Sequence, residues 1–265
     1  MKEFLGIGGY QREPEGFLSW QHLTFVTTLM VLMVALAWLL GKKNRFSAYA
    51  VKNRVLTWAA FLLVGIDLAE IIFVCFRDSN PWAWRYLLPL FLCSMQAIAM
   101  PMAALCKGRV REASLDFVFI FGILGAVLGT YGAGQNYNAY PVISFNNVVS
   151  GLTHTLAGFA SLYIAFSGMI SMKRENIGWC FGVLIAFCAI AYGVNHLIDY
   201  NYMFLMSGDG TPYDILYNLV GGSPVFYPLG VVGLFLIYIA AFYYAYYKIT
   251  HRKAKQAQAE QSVTA

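Results

Sequence analysis

The chain has 265 residues, of which 59% are hydrophobic and 12% are charged, and its formal net charge is +5. A soluble domain carries about 25% charged residues, so this composition excludes water as the main solvent. The basic residues lie in the connections between apolar stretches rather than in one patch, which argues for membrane orientation and against a nucleic-acid partner. Cys75, Cys93, Cys106, Cys180 and Cys188 form no CxxC pair, so neither a disulfide framework nor a metal site is indicated.

Residues 1–17 carry Lys2, Glu3, Arg12, Glu13 and Glu15 with no basic region leading into a short apolar core, so we expect an external N-terminal segment and no removable signal peptide. Seven apolar stretches follow, at Leu18–Leu40, Val55–Phe76, Trp84–Leu105, Ala113–Tyr131, Val148–Ser171, Ile177–Leu197 and Val225–Tyr247. Each is about the 20 residues that a helix needs to cross hydrocarbon. The third holds Pro89 and Pro101, which membrane helices tolerate where neighbours re-satisfy the freed carbonyls. Fourteen of the 18 Lys and Arg fall in alternate connections and the tail, the other side having Lys2, Arg12, Arg77 and Arg85. The expected fold is therefore all-α and polytopic: one transmembrane domain over 1–265, with seven helices in 18–247, the N-terminus outside and a cytosolic tail at 248–265.

Ionisable groups in hydrocarbon are costly and face the bundle interior by default. Counting from the outer ends of the third and fifth stretches puts Cys93 at roughly 13 Å and His154 at roughly 12 Å, a shared depth. Asp67 and Glu70 share one face of the second helix in its outer half, and each needs a proton, partner or water, so one is expected to bond a His or Asn of another helix. His22 lies in the first outer turn, and Asn195, His196 and Asp199 close the outer end of the sixth helix, whereas the inner half is nearly free of ionisable groups. The bland readings stand beside these. A lone membrane Cys is usually a small buried hydrophobe. His154 reads equally as an interhelical hydrogen-bonding group, and His22 and His196 as boundary residues. The stripe Asn147, Ser150, His154, Gly158 and Ser161, and the series Gly122, Gly125, Gly129 and Gly132, read first as packing surfaces.

Taken in order, His22, Glu70, Leu88-Pro89-Leu90-Phe91-Leu92-Cys93, His154 and Asn195 followed by Asn201-Tyr202-Met203 resemble the YwaF-like bacterial integral membrane proteins, over about His22 to Tyr247. The family usually has His two residues before the Cys, where this chain has Phe91, and often a carboxylate or Ser after it, here Ser94. That family is similar to a mammalian Cys/His phospholipid acyltransferase and, more distantly, to androgen-induced membrane hydrolases with a Thr/His pair. The resemblance implies lipid acyl chemistry at Cys93 and His154, as acyltransferase or lipid-ester hydrolase, on a membrane lipid, without cofactor, in the bacterial cytoplasmic membrane.

In that chemistry His154 takes the Cys93 proton and the thiolate attacks an ester carbonyl. Oxyanion donors could come from Asn195, Asn201, Gln96 or His22, and Asp67 or Glu70 could orient a histidine, with His196 nearby. The rival is a transporter or small-molecule-binding protein in which Asp67, Glu70, His154 and His196 form a path, or a structural partner in a larger complex. A retinal protein is disfavoured because the seventh helix has no buried Lys, Lys248 being at its end.

Overall fold

The computed structural model describes the backbone of residues 1–263 and the side chains of residues 1–250. Of the expected polar tail, Thr264 and Ala265 and the side chains of Arg252, Lys253 and Lys255 lie outside the described residues. All regular elements among the described residues are helices, and six are long and apolar enough to cross a membrane. The chain divides into two compact units, Met1–Ser171 and Met172–Ala265.

The first unit opens with a short helix α1 (Lys2–Leu5), then α2 (Trp20–Asn44) and α3 (Tyr49–Arg77). Ser19 caps α2 by accepting the His22 backbone N–H, satisfying a donor that has no partner inside the helix. Next come α4 (Gln96–Leu105), α5 (Gly108–Tyr131), a short α6 (Gly134–Ala139) and α7 (Phe145–Ser167). Ser144 caps α7 through the Asn147 N–H, and Gly168, with φ of 72°, ends it in the left-handed conformation that glycine adopts at least cost.

The third apolar stretch departs from the single helix expected over Trp84–Leu105. It has a 3₁₀ turn at Ala83–Tyr86, turns through Met95, and only the ten residues of α4. Pro89 offers no N–H to a ladder and turns Leu88 away from the helical region, whereas Pro101 is accommodated inside α4. Such backbone is stable at membrane depth only when covered by protein, and here α3 and α5 pack against this stretch.

The α5, α7 and α2 helices form the tightest part of the unit. Gly122 lies against the Ala157 carbonyl and Ser161, Gly158 against Met33 and Ala126, and Gly41 against Phe166, each where a Cβ would collide. The Ser161 hydroxyl crosses this seam to donate to the Phe119 carbonyl at 2.7 Å. Small residues let these backbones approach as they do in membrane helix pairs.

The N-terminal segment is folded onto this unit. Glu15 accepts the Val142 N–H at 2.7 Å, and the Phe17 N–H donates to Asn138 at 2.9 Å. Tyr10 and Arg77 both donate to the Asn146 side chain at 2.8 Å. Glu3 accepts the backbone N–H groups of Gln11 and Arg12. The Arg12 bond first, then that of Gln11, holds its carboxyl below the usual value.

The second unit comprises α8 (Arg174–Ile198), α9 (Tyr213–Leu219) and α10 (Phe226–Val263), so the helix continues into the segment expected to be a tail. Between α8 and α9 the chain turns through Asp199, Met203 and Phe204, all at positive φ. Burial pushes the Tyr213 phenol of α9 above its ordinary value.

Candidate functional site

Cys93 follows the Pro89 break, three residues before the start of α4, and His154 lies midway along α7. Both are half-buried, and both line one small cavity with Leu63 and Asp67 of α3, Ser94, and Thr153 of α7. The thiol and the imidazole are near enough to act on each other electrostatically. Ser94 approaches the sulfur with its hydroxyl, at 3.9 Å, and with its backbone N–H.

Both groups have their place because α5 has glycines opposite them. A Cβ on Gly129 would overlap Cδ2 and Nε2 of His154, and one on Gly125 would sit 3.4 Å from the Cys93 Cβ. These glycines are four residues apart and so lie on one face of α5. The series read as a packing surface thus also makes room for the two side chains; the signal available in the sequence was its four-residue spacing.

The His154 tautomer follows from its bonds. Nδ1 is 2.7 Å from the Ser150 carbonyl, which can only accept, so Nδ1 carries the proton and the neutral ring keeps its lone pair on Nε2. The Nε2–Cδ2 edge of the ring faces Gly129. No carboxylate orients this ring through Nδ1, because a backbone carbonyl does so.

Asp67 lines the cavity and acts electrostatically on His154, while Glu70, on the same α3 face, acts on both. Among the described residues neither carboxylate makes a hydrogen bond or ion pair, contrary to the expected bond to a His or Asn. The Nδ1 of His154, the atom through which a carboxylate would orient the ring, is engaged by the Ser150 carbonyl of its own helix. The cavity is about 20 Å³, room for about one water.

The other sequence candidates are not gathered here. His22 is fully buried and fully engaged: its Nδ1 accepts the Leu18 N–H at 3.1 Å, its Nε2–H donates to the Thr130 carbonyl at 3.1 Å, and its ring lies on Tyr137 with centroids 3.9 Å apart. Its only ring donor is therefore spent. Gln96 is fully buried with no side-chain partner among the described residues, but it does not line the cavity.

Asn195, His196 and Asn201 belong to the second unit. The Asn195 amide brackets Tyr202, accepting its N–H at 2.7 Å and donating to its carbonyl at 3.0 Å. Asn201 binds the 206–209 loop through Met206, Ser207 and Asp209, and exposed His196 meets the Tyr192 ring edge-on. Asp116, only 1% exposed about two turns into α5, is a carboxylate in the half of the span expected to hold almost none. No group of three or more His, Cys, Asp or Glu that could hold a metal occurs among the described residues.

The family model described as the TMEM164 family matches residues 17–252. The chain belongs to the TMEM164 family. No curated protein and no solved structure matches it. The match covers every span and the cavity-lining residues, and it makes this a membrane protein of that family, while the YwaF name and the acyl chemistry rest on the sequence resemblance alone.

Proposed function

We propose that this TMEM164-family protein is a lipid acyltransferase or lipid-ester hydrolase in which Cys93 is the nucleophile and His154 its base. The observation that carries the reading is the shared cavity, with the thiol beside an imidazole whose unprotonated Nε2 is kept available by the Nδ1 bond to Ser150. A thiol attacks as its thiolate, and an adjacent imidazole removes its proton. The Cys93 proton passes to Nε2, the sulfur bonds the ester carbonyl carbon, the C–O bond breaks, and His154 returns the proton to the departing alcohol oxygen. The acyl-thioester is then cleared by a second hydroxyl or by water. The Ser94 N–H at the sulfur is positioned to meet the tetrahedral oxyanion.

A lipid substrate suits a site between membrane-length helices, where the acyl chain is already in the bilayer and only the ester must reach the pair. The third stretch crosses as a broken span in this reading, giving one seven-span domain, N-out and C-in, in the bacterial cytoplasmic membrane. Basic residues on aromatic rings, Lys42 on Trp38, Arg111 on Tyr49 and Lys248 on Tyr244, suit the inner interface in this reading. Purified protein is to be tested on a phospholipid panel with and without a lysophospholipid acceptor. Acyl transfer or fatty-acid release that Cys93→Ala abolishes is expected, and full activity in Cys93→Ala would refute the assignment.

A further inference from the structure

The scheme above uses Cys93, His154 and Ser94 but leaves one half-buried acid of the cavity without a task. Asp67 forms a wall of the same cavity, has no hydrogen bond or ion pair among the described residues, and acts electrostatically on His154. It is not the orienting member of a triad, because Nδ1 is held by Ser150. It and His154 line the same cavity, which Cys93 also lines.

Resting on the Cys93 and His154 reading, we propose that the one-water cavity between Asp67, Cys93 and His154 seats the oxygen of the acyl acceptor, and that Asp67 is the positioning residue for the second half of the reaction.

The charges in the two halves explain the asymmetry. During acylation the proton moves from sulfur to Nε2, so negative charge on sulfur and positive charge on the ring develop together. A carboxylate beside both helps one and opposes the other. Once the thioester has formed, its sulfur is neutral. The acceptor hydroxyl gives its proton to Nε2 while its oxygen bonds the acyl carbon. The C–S bond then breaks, and His154 returns the proton to the thiolate. The imidazolium arises here together with an oxyanion on the former carbonyl oxygen rather than a charge on the sulfur that lines the same cavity as Asp67, so the carboxylate meets less opposition than in acylation. Glu70 adds to the field from the same face of α3 but does not line the cavity. Leu63 and Thr153 complete the wall and limit the seat to a single oxygen.

The test is a two-stage experiment on the full chain in detergent or nanodiscs. A phospholipid with a short labelled acyl chain loads Cys93, the thioester is quantified by intact mass, and a lysophospholipid or water is then allowed to clear it. Asp67→Asn keeps the shape and removes the charge, and Asp67→Ser guards against a shape effect; thermal unfolding reports on folding. We expect both variants to load Cys93 at close to the wild-type rate and to clear it about tenfold more slowly, with a changed pH profile for clearance only. Equal loss in both stages, or unchanged clearance, would overturn the role of Asp67. If the wild type forms no thioester on Cys93, the underlying nucleophile assignment fails and this inference falls with it.

Discussion

Two histidines in one unit are held in opposite ways. His22 accepts at Nδ1 and donates at Nε2, both to backbone groups, and its ring is covered by Tyr137. Nothing remains on it for a ligand, and it fixes the start of α2 to the end of α5. His154 spends Nδ1 on its own helix, has its Nε2 edge against Gly129, and lines a cavity that Cys93 also lines. Burial does not separate a structural polar group from a functional one. What separates them is whether its hydrogen-bonding capacity is already filled, and by that measure Asn195, with its amide on both sides of Tyr202, belongs with His22.

The largest effect that would sharpen the contrast is on turnover. His154→Ala should slow acyl chemistry by about 100-fold or more, with the unfolding temperature close to wild type, whereas His22→Ala should lower that temperature first. A loss of activity in His154→Ala accompanied by unfolding would erase the distinction.

Asn195→Ala tests the filled class directly. It removes the side-chain bonds to the Tyr202 N–H and carbonyl, the carbonyl keeping its bond from the Leu205 N–H, at about 1–3 kcal/mol in all. Thermal or denaturant unfolding should detect that cost, while the reactivity of Cys93 stays unchanged.

Gly129→Ala works from the other side, by placing a Cβ on the Nε2 edge of His154. It should cost about 1–3 kcal/mol through overpacking and reduce Cys93 reactivity. Gly125→Ala, with an ordinary approach to Cys93, should do less of both. Equal behaviour of the two variants in a thiol-labelling time course would show that the glycines serve packing alone.

The smallest effect is at the N-terminal segment. The Glu3 carboxyl is held below its ordinary 4.5 by the Arg12 and Gln11 N–H groups. Its contribution is present above the unfolded value and is lost as pH falls through the lower folded one. Limited proteolysis of residues 1–19 should therefore accelerate slightly on acidification through that window, and Glu3→Gln should flatten the change.

Six of the seven expected spans could be read by counting apolar residues, because a helix needs about 20 of them to cross hydrocarbon, whereas the third stretch could not. That the side chains of Cys93 and His154 line one cavity could not be read either, since depth says nothing of azimuth. Room at that azimuth is made by Gly125 and Gly129, whose partners are 32 and 25 residues away in the chain. Pro89 and Pro101 show the same limit: one lies in the break and the other inside a helix, and a proline alone does not distinguish them. Asp67 and Glu70 were legible as interior acids, but the engagement of the His154 Nδ1 by the Ser150 carbonyl of its own helix was not. The folding of residues 1–19 onto Asn138, Val142 and Asn146 was invisible because single long-range polar bonds leave no periodicity.

The most direct test of the Cys93 and His154 pair is the rate at which each cysteine of the intact protein takes up a lipid-like electrophile, read by peptide mass spectrometry in wild type and His154→Ala. Thiolate fraction governs that rate, so Cys93 should label ahead of Cys75, Cys106, Cys180 and Cys188 and lose its lead when His154 is removed. Labelling of Cys93 at the rate of the other four, or a lead that survives His154→Ala, would contradict the pair and leave the membrane cavity to a binding or transport role.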